Sequence, residues 1–351
     1  MQYATTVDGV RVAFACLGDG PAIVFASNIF GDLTGYRVGW PHIKEVTDRL
    51  VRLGWRVIRY DVRGMGLSDR NVADVGLDGR VLDLQAVIAR LGLDRFTLAG
   101  LDIGAATAVA YAAANPTKVS RLVLLSPWPS GVKYLGIPAL RAAYAAESDA
   151  KRDPKLFANV LSSVVTSFQD ADLVRLRTQW HLSGASPDDL VAYLAATARI
   201  DISDRLAQLT VPALVVHEPA FPFGSFELCQ DVAGTIPGAE LLIVNDRSIT
   251  GRIHDETVAG IDRFLRGRTA DGASSAAAGE GLAGSRPAPN GLTPREVQIL
   301  RKVAAGSTNN EIAGELGIAV STVERHLVNL YTKIGARRRA DAIAFTLRHH
   351  L

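Results

Sequence analysis

The sequence predicts an α/β unit with a mostly parallel sheet, followed by a small all-α unit. Three observations carry this. Through residues 1–266, short β-branched runs alternate with helical patterns, as a parallel sheet covered by helices requires. From Gly267 to Gly291 the composition turns to Gly, Ala, Ser and Pro with almost no large apolar residue. Residues 292–351 then carry three helix-start signatures of the form Ser/Thr-x-x-Glu.

In chain order, Val10–Leu17, Ala22–Ala26 and Arg56–Tyr60 are the expected early strands. Phe96–Ala99, Arg121–Leu125, Ala213–His217 and Glu240–Val244 follow, with helices between them, among them Ala105–Ala114. Each later strand is short and apolar and ends in polar or glycine-rich residues, where open α/β sheets place their ligands. An insertion with helical patterns lies between Pro127 and Asp204, the place for a cap over such a site. Residues 267–291 cannot bury enough apolar surface to fold. As a flexible tether they span on the order of 25–30 Å root-mean-square. The expected domains are therefore 1–266 with a cap at about 127–204, a linker at 267–291, and 292–351.

In the last segment the signatures are Thr293-Pro294-Arg295-Glu296, Thr308-Asn309-Asn310-Glu311 and Ser321-Thr322-Val323-Glu324. In each, the hydroxyl accepts from a helix N–H while the Glu reaches back, and Pro294 sits where a missing N–H costs nothing. Gly317 falls where a left-handed cap would end the second helix. Helix, tight turn, helix is a DNA-binding layout. On the third helix, expected over Thr322–Ile334, Val323, Leu327, Leu330 and Ile334 form one apolar stripe. Glu324, Arg325, Val328 and Thr332 project from the other face, with Lys333 and Arg337-Arg338-Arg339 near its end. Polar side chains flanked by cations suit a major groove bordered by phosphates. A fourth helix from about Arg338 to Arg348 presents Ala340, Ile343, Ala344, Leu347 and Leu351 as its apolar side.

Leu292-Thr293-Pro294-Arg295-Glu296, Asn310-Glu311-Ile312-Ala313, Ser321-Thr322-Val323-Glu324-Arg325-His326-Leu327 and Lys333-Ile334-Gly335 resemble the LuxR-type four-helix output domain throughout residues 292–351. The resemblance implies double-stranded DNA as partner, an inverted-repeat operator and a homodimer formed through the fourth helix. Ser321, Thr322, Glu324, Arg325, Val328, Lys333, Arg337 and Arg338 are the expected DNA-binding residues. Many members have Lys where this chain has Glu324, which either completes a capping box or accepts from a base. Charge agrees with this division. Residues 292–351 hold nine Lys and Arg against five Asp and Glu, leaving 29 against 31 in the rest.

Cys16 and Cys229 show neither metal spacing nor a redox pair, and read as reduced thiols. There is no signal-peptide pattern at the first residues, and no apolar run of spanning length. A cytoplasmic protein without cofactor, metal or membrane association is expected.

Two stretches of the larger unit resemble the α/β-hydrolase fold. Arg56-Val57-Ile58-Arg59-Tyr60-Asp61-Val62-Arg63-Gly64-Met65-Gly66-Leu67-Ser68-Asp69 is similar to the segment at that family's fourth strand, and Gly100-Leu101-Asp102-Ile103-Gly104 to its nucleophile elbow. The glycines permit the sharp strand-to-helix turn that exposes the central side chain. The resemblance covers about residues 3–266 and implies an α/β-hydrolase-like sheet with a helical cap. The family's usual nucleophile is Ser; epoxide hydrolases and haloalkane dehalogenases use Asp, with a His to activate water and an acid to hold it. Here the base loop after Glu240–Val244 has Ser248 at the expected His position, and His254 comes later as either a displaced base or a surface residue. Ala220 or Phe221 stands where the acid belongs, Ser27-Asn28 replaces the oxyanion-side His-Gly, and Ile103 stands where dehalogenases carry Trp. His217, at a strand end, reads as structural.

Asp102 thus caps its helix, anchors a polar or cationic ligand group, or acts as a nucleophile. The expected ligand-binding residues are Asn28, Ile29, Asp102, Ile103, Trp128, Trp180, Phe221 and Phe223, the aromatics being either pocket lining or cap core. The reading is a non-enzymatic, hydrolase-derived sensor of a small molecule that controls a LuxR-type reader. The alternative is an active hydrolase or dehalogenase using Asp102, with His254 as base, fused to a DNA-binding module. A third is a ligand-free dimerising scaffold.

Overall fold

A computed structural model describes residues 1–26, 33, 41–138, 140–141, 153–165, 170–218, 221, 223–244, 255–267, 292, 294–304, 307–316, 320–334, 336, 342 and 345–346. The chain divides into two compact units, Met1–Gly272 and Ala273–Leu351.

The first unit is built on eight strands: β1 (Gln2–Thr5), β2 (Arg11–Leu17), β3 (Ala22–Ala26), β4 (Arg56–Tyr60), β5 (Phe96–Leu101), β6 (Val119–Leu125), β7 (Ala213–His217) and β8 (Glu240–Ile243). Their spatial order is β1-β2-β4-β3-β5-β6-β7-β8. β1 and β2 pair antiparallel, as do β2 and β4, and all other pairs are parallel. β5 and β7 are buried along their whole length, as strands covered on both faces must be. The order reverses around β3, which lies between β4 and β5, so the carboxyl ends of β3 and β5 flank the switch point where such sheets bind ligands.

Helices α1 (Pro41–Arg52), α2 (Leu77–Leu91) and α3 (Ile103–Ala114) connect the first strands. α3 is buried on nearly all sides, and its alanines let it lie close to the sheet. Between β6 and β7 run α4 (Gly131–Leu135), α5 (Pro154–Val165), α6 (Ala171–Gly184), α7 (Pro187–Ala198) and α8 (Ser203–Leu206), the predicted cap. α9 (Phe226–Thr235) and α10 (Asp255–Leu265) complete the unit.

The segment Arg63–Gly66 fastens the cap to the sheet. The Gly66 N–H donates to Gly184 O at 2.8 Å and the Tyr193 hydroxyl to Arg63 O at 2.6 Å. Met65 and Ala185 form an antiparallel bridge. Gly64 and Gly66 have φ of 75° and 53°, a region that favours glycine, and a Cβ on Gly64 would press on the Tyr193 ring at 3.3 Å.

Inside the cap, His181 of α6 is buried and its Nδ1 lies 3.0 Å from Ser162 Oγ of α5. Burial pushes this imidazole down to about 3, and the nearby Arg177 guanidinium adds to the effect. The folded state therefore keeps His181 neutral while the unfolded chain protonates it near 6.5. Its contribution to stability is complete above that pH and is lost as pH falls toward 3. Between pH 6.5 and 5 the expected loss is about 2 kcal/mol. Urea unfolding should show this slope in wild type and a flatter one in His181→Gln; equal slopes would refute it.

The second unit contains α11 (Pro294–Ala304), α12 (Asn309–Leu316) and α13 (Val320–Ile334). Val323, Leu327 and Leu330 are buried with Ile299, Leu300, Val303 and Ile312, and Ile334 packs at the edge of the cluster. The Thr308–Glu311 capping box is complete. Thr308 N–H and hydroxyl donate to Glu311 Oε2 at 2.7 and 2.9 Å, and Glu311 N–H returns to Thr308 Oγ1 at 3.3 Å.

Several boundaries differ from expectation. β1 was not anticipated: only Ala4 of its four residues is buried, so an edge strand this short leaves no alternation. β5 and β6 are longer because ladder pairing continues through Gly100-Leu101 and back to Val119. α3 begins at Ile103, immediately after the elbow. α13 begins at Val320, which places Ser321 inside the helix and removes the N-cap position from the third capping box. In the fourth-helix segment Ala342, Phe345 and Thr346 are buried, not positions on the Ala340, Ile343, Ala344, Leu347 stripe, whose residues lie outside the description, as do Gly317 and Leu351.

Candidate functional site

Asp102 sits between β5 and α3 with φ 54° and ψ −120°, a strained conformation for a residue with a side chain. Two neighbours hold it there: its N–H donates to Leu125 O at 2.9 Å, and Ala105 N–H donates to its carbonyl at 2.9 Å. A Cβ on Gly100 would come within 2.5 Å of Gly104 O, so the close strand–helix approach requires glycine at that point. The elbow predicted from Gly100-Leu101-Asp102-Ile103-Gly104 is therefore present in its backbone form.

Its side chain does not cap the helix, which corrects one of the three expectations for it. Instead Oδ1 accepts from Trp128 Nε1 at 2.7 Å and Oδ2 from the Tyr134 hydroxyl at 2.8 Å. The two donor rings stack at 4.6 Å and 18°. All three residues are buried. An indole N–H can only donate, so this geometry commits one carboxylate oxygen to it.

The donors are positioned by the segment after β6. The chain turns at Ser126, with φ 44°, and passes Trp128 into α4, whose N-cap is Ser130. Gly131 N–H donates to Ile200 O at 2.7 Å and Ile202 N–H to Pro129 O at 2.9 Å, tying the start of α4 to the end of the cap.

The other predicted ligand residues separate. Ile103 is buried in the first turn of α3. Trp180 is buried in α6 with its ring 4.9 Å from that of His181. Phe221 and Phe223 are buried edge to face, with ring centres 5.7 Å apart, so an apolar ring fills one of the two positions expected for an acid. Asn28, Ile29, Ala220, Ser248 and His254 lie outside the described residues.

Two functional candidates were missed. Tyr134 looked like a cap-core aromatic; its spacing from Trp128 carries no recognisable pattern, although Ser130 marks a helix start between them. Glu218, directly after His217, is a buried carboxylate that accepts from Thr257 Oγ1 of α10 at 3.5 Å.

In the second unit Lys333, expected beside DNA phosphates, donates from Nζ to Glu296 Oε2 at 2.8 Å, and the Glu296 side chain is only 4% exposed. This pair ties α13 to α11. Thr322 and Val328 are half-buried on α13. The side chains of Ser321, Glu324 and Arg325, and residues Arg337 and Arg338, lie outside the description.

The alpha/beta hydrolase fold family matches residues 31–222. The chain belongs to this family. The luxR family of bacterial regulatory proteins matches residues 290–346, so the chain joins a hydrolase-fold domain to a LuxR-type helix-turn-helix domain. A 2-hydroxy-6-oxononadienedioate/2-hydroxy-6-oxononatrienedioate hydrolase of Cupriavidus pinatubonensis is 31% identical over 260 residues, 70% of this chain and 87% of that protein. The HTH-type transcriptional regulator MalT of Cronobacter sakazakii is 46% identical over 52 residues, which is 15% of this chain and 6% of MalT. Among solved structures, a bromoperoxidase from Bacillus anthracis aligns with TM-score 0.62 at 16% identity, over 76% of this chain and 99% of that one. An esterase from Exiguobacterium antarcticum aligns with TM-score 0.60 at 21% identity, over 76% and 97%. These two likenesses are of fold alone. Among the described residues, no helix is long and apolar enough to cross a membrane.

Proposed function

We propose that this chain is a ligand-responsive one-component transcriptional regulator, in which the hydrolase-fold domain senses a small molecule and the LuxR-type domain reads an inverted-repeat operator as a homodimer in the cytoplasm. The observation that carries the reading is the elbow. Its carboxylate is engaged by Trp128 and Tyr134, and a phenylalanine fills one expected acid position. Two donors on a carboxylate blunt it as a nucleophile but leave further lone pairs for a ligand donor. The ligand is a small, largely apolar molecule with one polar group directed at this floor. It regulates only through a difference in affinity between two states of the protein, the simplest being monomer and dimer. The apolar stripe Ala340, Ile343, Ala344 and Leu347 supports dimerisation through the fourth helix.

The domain limits that fit this reading are 1–266 for the sensor, 267–291 for the tether and 292–351 for the reader. Thr322, Arg325 and Val328 are the favoured base-facing residues. Lys333 is a weaker choice because it already serves Glu296.

A second reading, a hydrolase or dehalogenase using Asp102, is favoured by Glu218. That buried carboxylate contacts Thr257, which follows His254 by one helical turn in the chain. The relatives named as dienedioate hydrolases belong to this reading too.

Ester, epoxide and haloalkane turnover by wild type and Asp102→Asn separates the two. The sensor reading expects no turnover above background in either protein. It also expects an effector, selected by thermal shift, to change operator affinity in wild type and not in Asp102→Ala. Turnover abolished by Asp102→Asn would establish the enzyme instead.

A further inference from the structure

A cleft of about 600 Å³ opens between the C-terminal end of α4 and the first turn of α9. Ile137 and Pro138 line one wall, Phe226 and Leu228 the other, and His217 lies between them at the end of β7. His217 is only 6% exposed, and its Nδ1 has no hydrogen-bond partner. A second buried polar atom without a partner, Ser126 Oγ, stands behind Gly224, which also lines the cleft; a Cβ on Gly224 would lie 3.2 Å from it. Buried polar atoms in native proteins are paired with few exceptions, so two at one cleft point to a missing partner.

The surroundings narrow its chemistry. The charged groups at the rim already have partners: Lys133 Nζ bonds Asp231 at 2.9 Å, and the Glu227 carboxylate accepts from Ser225 Oγ at 2.7 Å. Burial pushes the His217 imidazole below its ordinary value, so the ring is neutral near pH 7 and carries one donor and one acceptor nitrogen. A hydroxyl satisfies Nδ1 in either tautomer, because it donates and accepts. The Phe226 ring, 5.5 Å from the imidazole, and the aliphatic walls accommodate a flat apolar body.

We propose that this cleft binds a small neutral hydroxyaromatic molecule, with its hydroxyl on His217 Nδ1 and its ring against Phe226, Ile137 and Pro138. The site is separate from the elbow and stands whatever Asp102 does. It bears on the same short helix, however, since Tyr134 of α4 holds the Asp102 carboxylate.

Phenol titrated into the full-length protein labelled with ¹⁵N-histidine should shift the His217 imidazole resonances saturably. Calorimetry should show phenol binding weakened roughly tenfold or more in His217→Phe, which removes the hydrogen bond. Ile137→Trp, which fills the cleft from its wall and leaves the imidazole in place, should weaken it as much. Unmoved His217 resonances overturn the proposal, and so does wild-type affinity in both variants. A trapped water that satisfies Nδ1 and is not displaced by phenol would also overturn it.

Discussion

Replacing Asp83 by alanine is expected to destabilise the hydrolase-fold domain by about 3–5 kcal/mol. Asp83 is wholly buried and accepts from the Arg63 backbone N–H and from Arg63 Nε, both at 2.8 Å. Arg63 is itself buried, and its remaining nitrogens reach the Asp8 carboxylate at 2.7 and 3.1 Å and Asp74 O at 3.3 Å. Arg80, also buried, lies over the Tyr193 ring at 4.4 Å. Without Asp83, two guanidinium groups remain out of water with the exposed Asp8 as the nearest carboxylate partner of Arg63. The desolvation cost of an unpaired buried charge exceeds what a surface ion pair returns. The effect should reach the cap, because Tyr193 bonds Arg63 O. Equilibrium urea unfolding measures the loss, and limited proteolysis should show earlier cleavage within residues 127–204. A loss below about 1 kcal/mol would mean that water or rearrangement satisfies Arg63, and that the pair does not hold the cap.

Ending the chain at residue 291 is expected to remove sequence-specific DNA binding altogether. Specific sites are typically held about 10³–10⁷ more tightly than random DNA, and that whole ratio should vanish. The second unit has its own core, in which Ile299, Leu300, Val303, Ile312, Val323 and Leu330 are fully buried, so the hydrolase-fold domain should remain folded without it. An operator is first selected from random duplexes with the full-length protein, and fluorescence anisotropy then compares the variants at one salt concentration. Leu330→Asp, which places a charge in the small core, should match the truncation. Arg325→Ala should cost roughly 1–3 kcal/mol and relax preference at one base pair. Specific binding by the truncated chain would refute the assignment of DNA recognition to residues 292–351.

Much of this could be read from local pattern. The strands β2 to β8 announce themselves because sheets covered on both faces need uninterrupted apolar runs. The elbow does so because only glycine tolerates the approach at Gly100. The apolar stripe of α13 follows from helical spacing alone, and the Thr308–Glu311 box from two residues three apart. Where reading failed, a distant partner decided the outcome. Glu296 has the spacing of a capping residue, yet its carboxylate reaches Lys333 on another helix. Ser321 has the chemistry of an N-cap, but α13 begins before it.

The sequence alone therefore determined the two domains, the family of each, and the presence of aspartate at the elbow. These depend on periodicity, glycine and short-range hydrogen bonding, all of which are local in the chain. Only the tertiary structure decided what that aspartate does with its side chain. Trp128 and Tyr134 reach Asp102 from the segment after the next strand, and parallel pairing of β5 with β6 brings those two chain ends together. No local rule encodes that distance. The same holds for Glu218 against Thr257 and for the unpartnered nitrogen of His217. Each is a property of elements that meet at the carboxyl edge of the sheet after travelling apart in sequence.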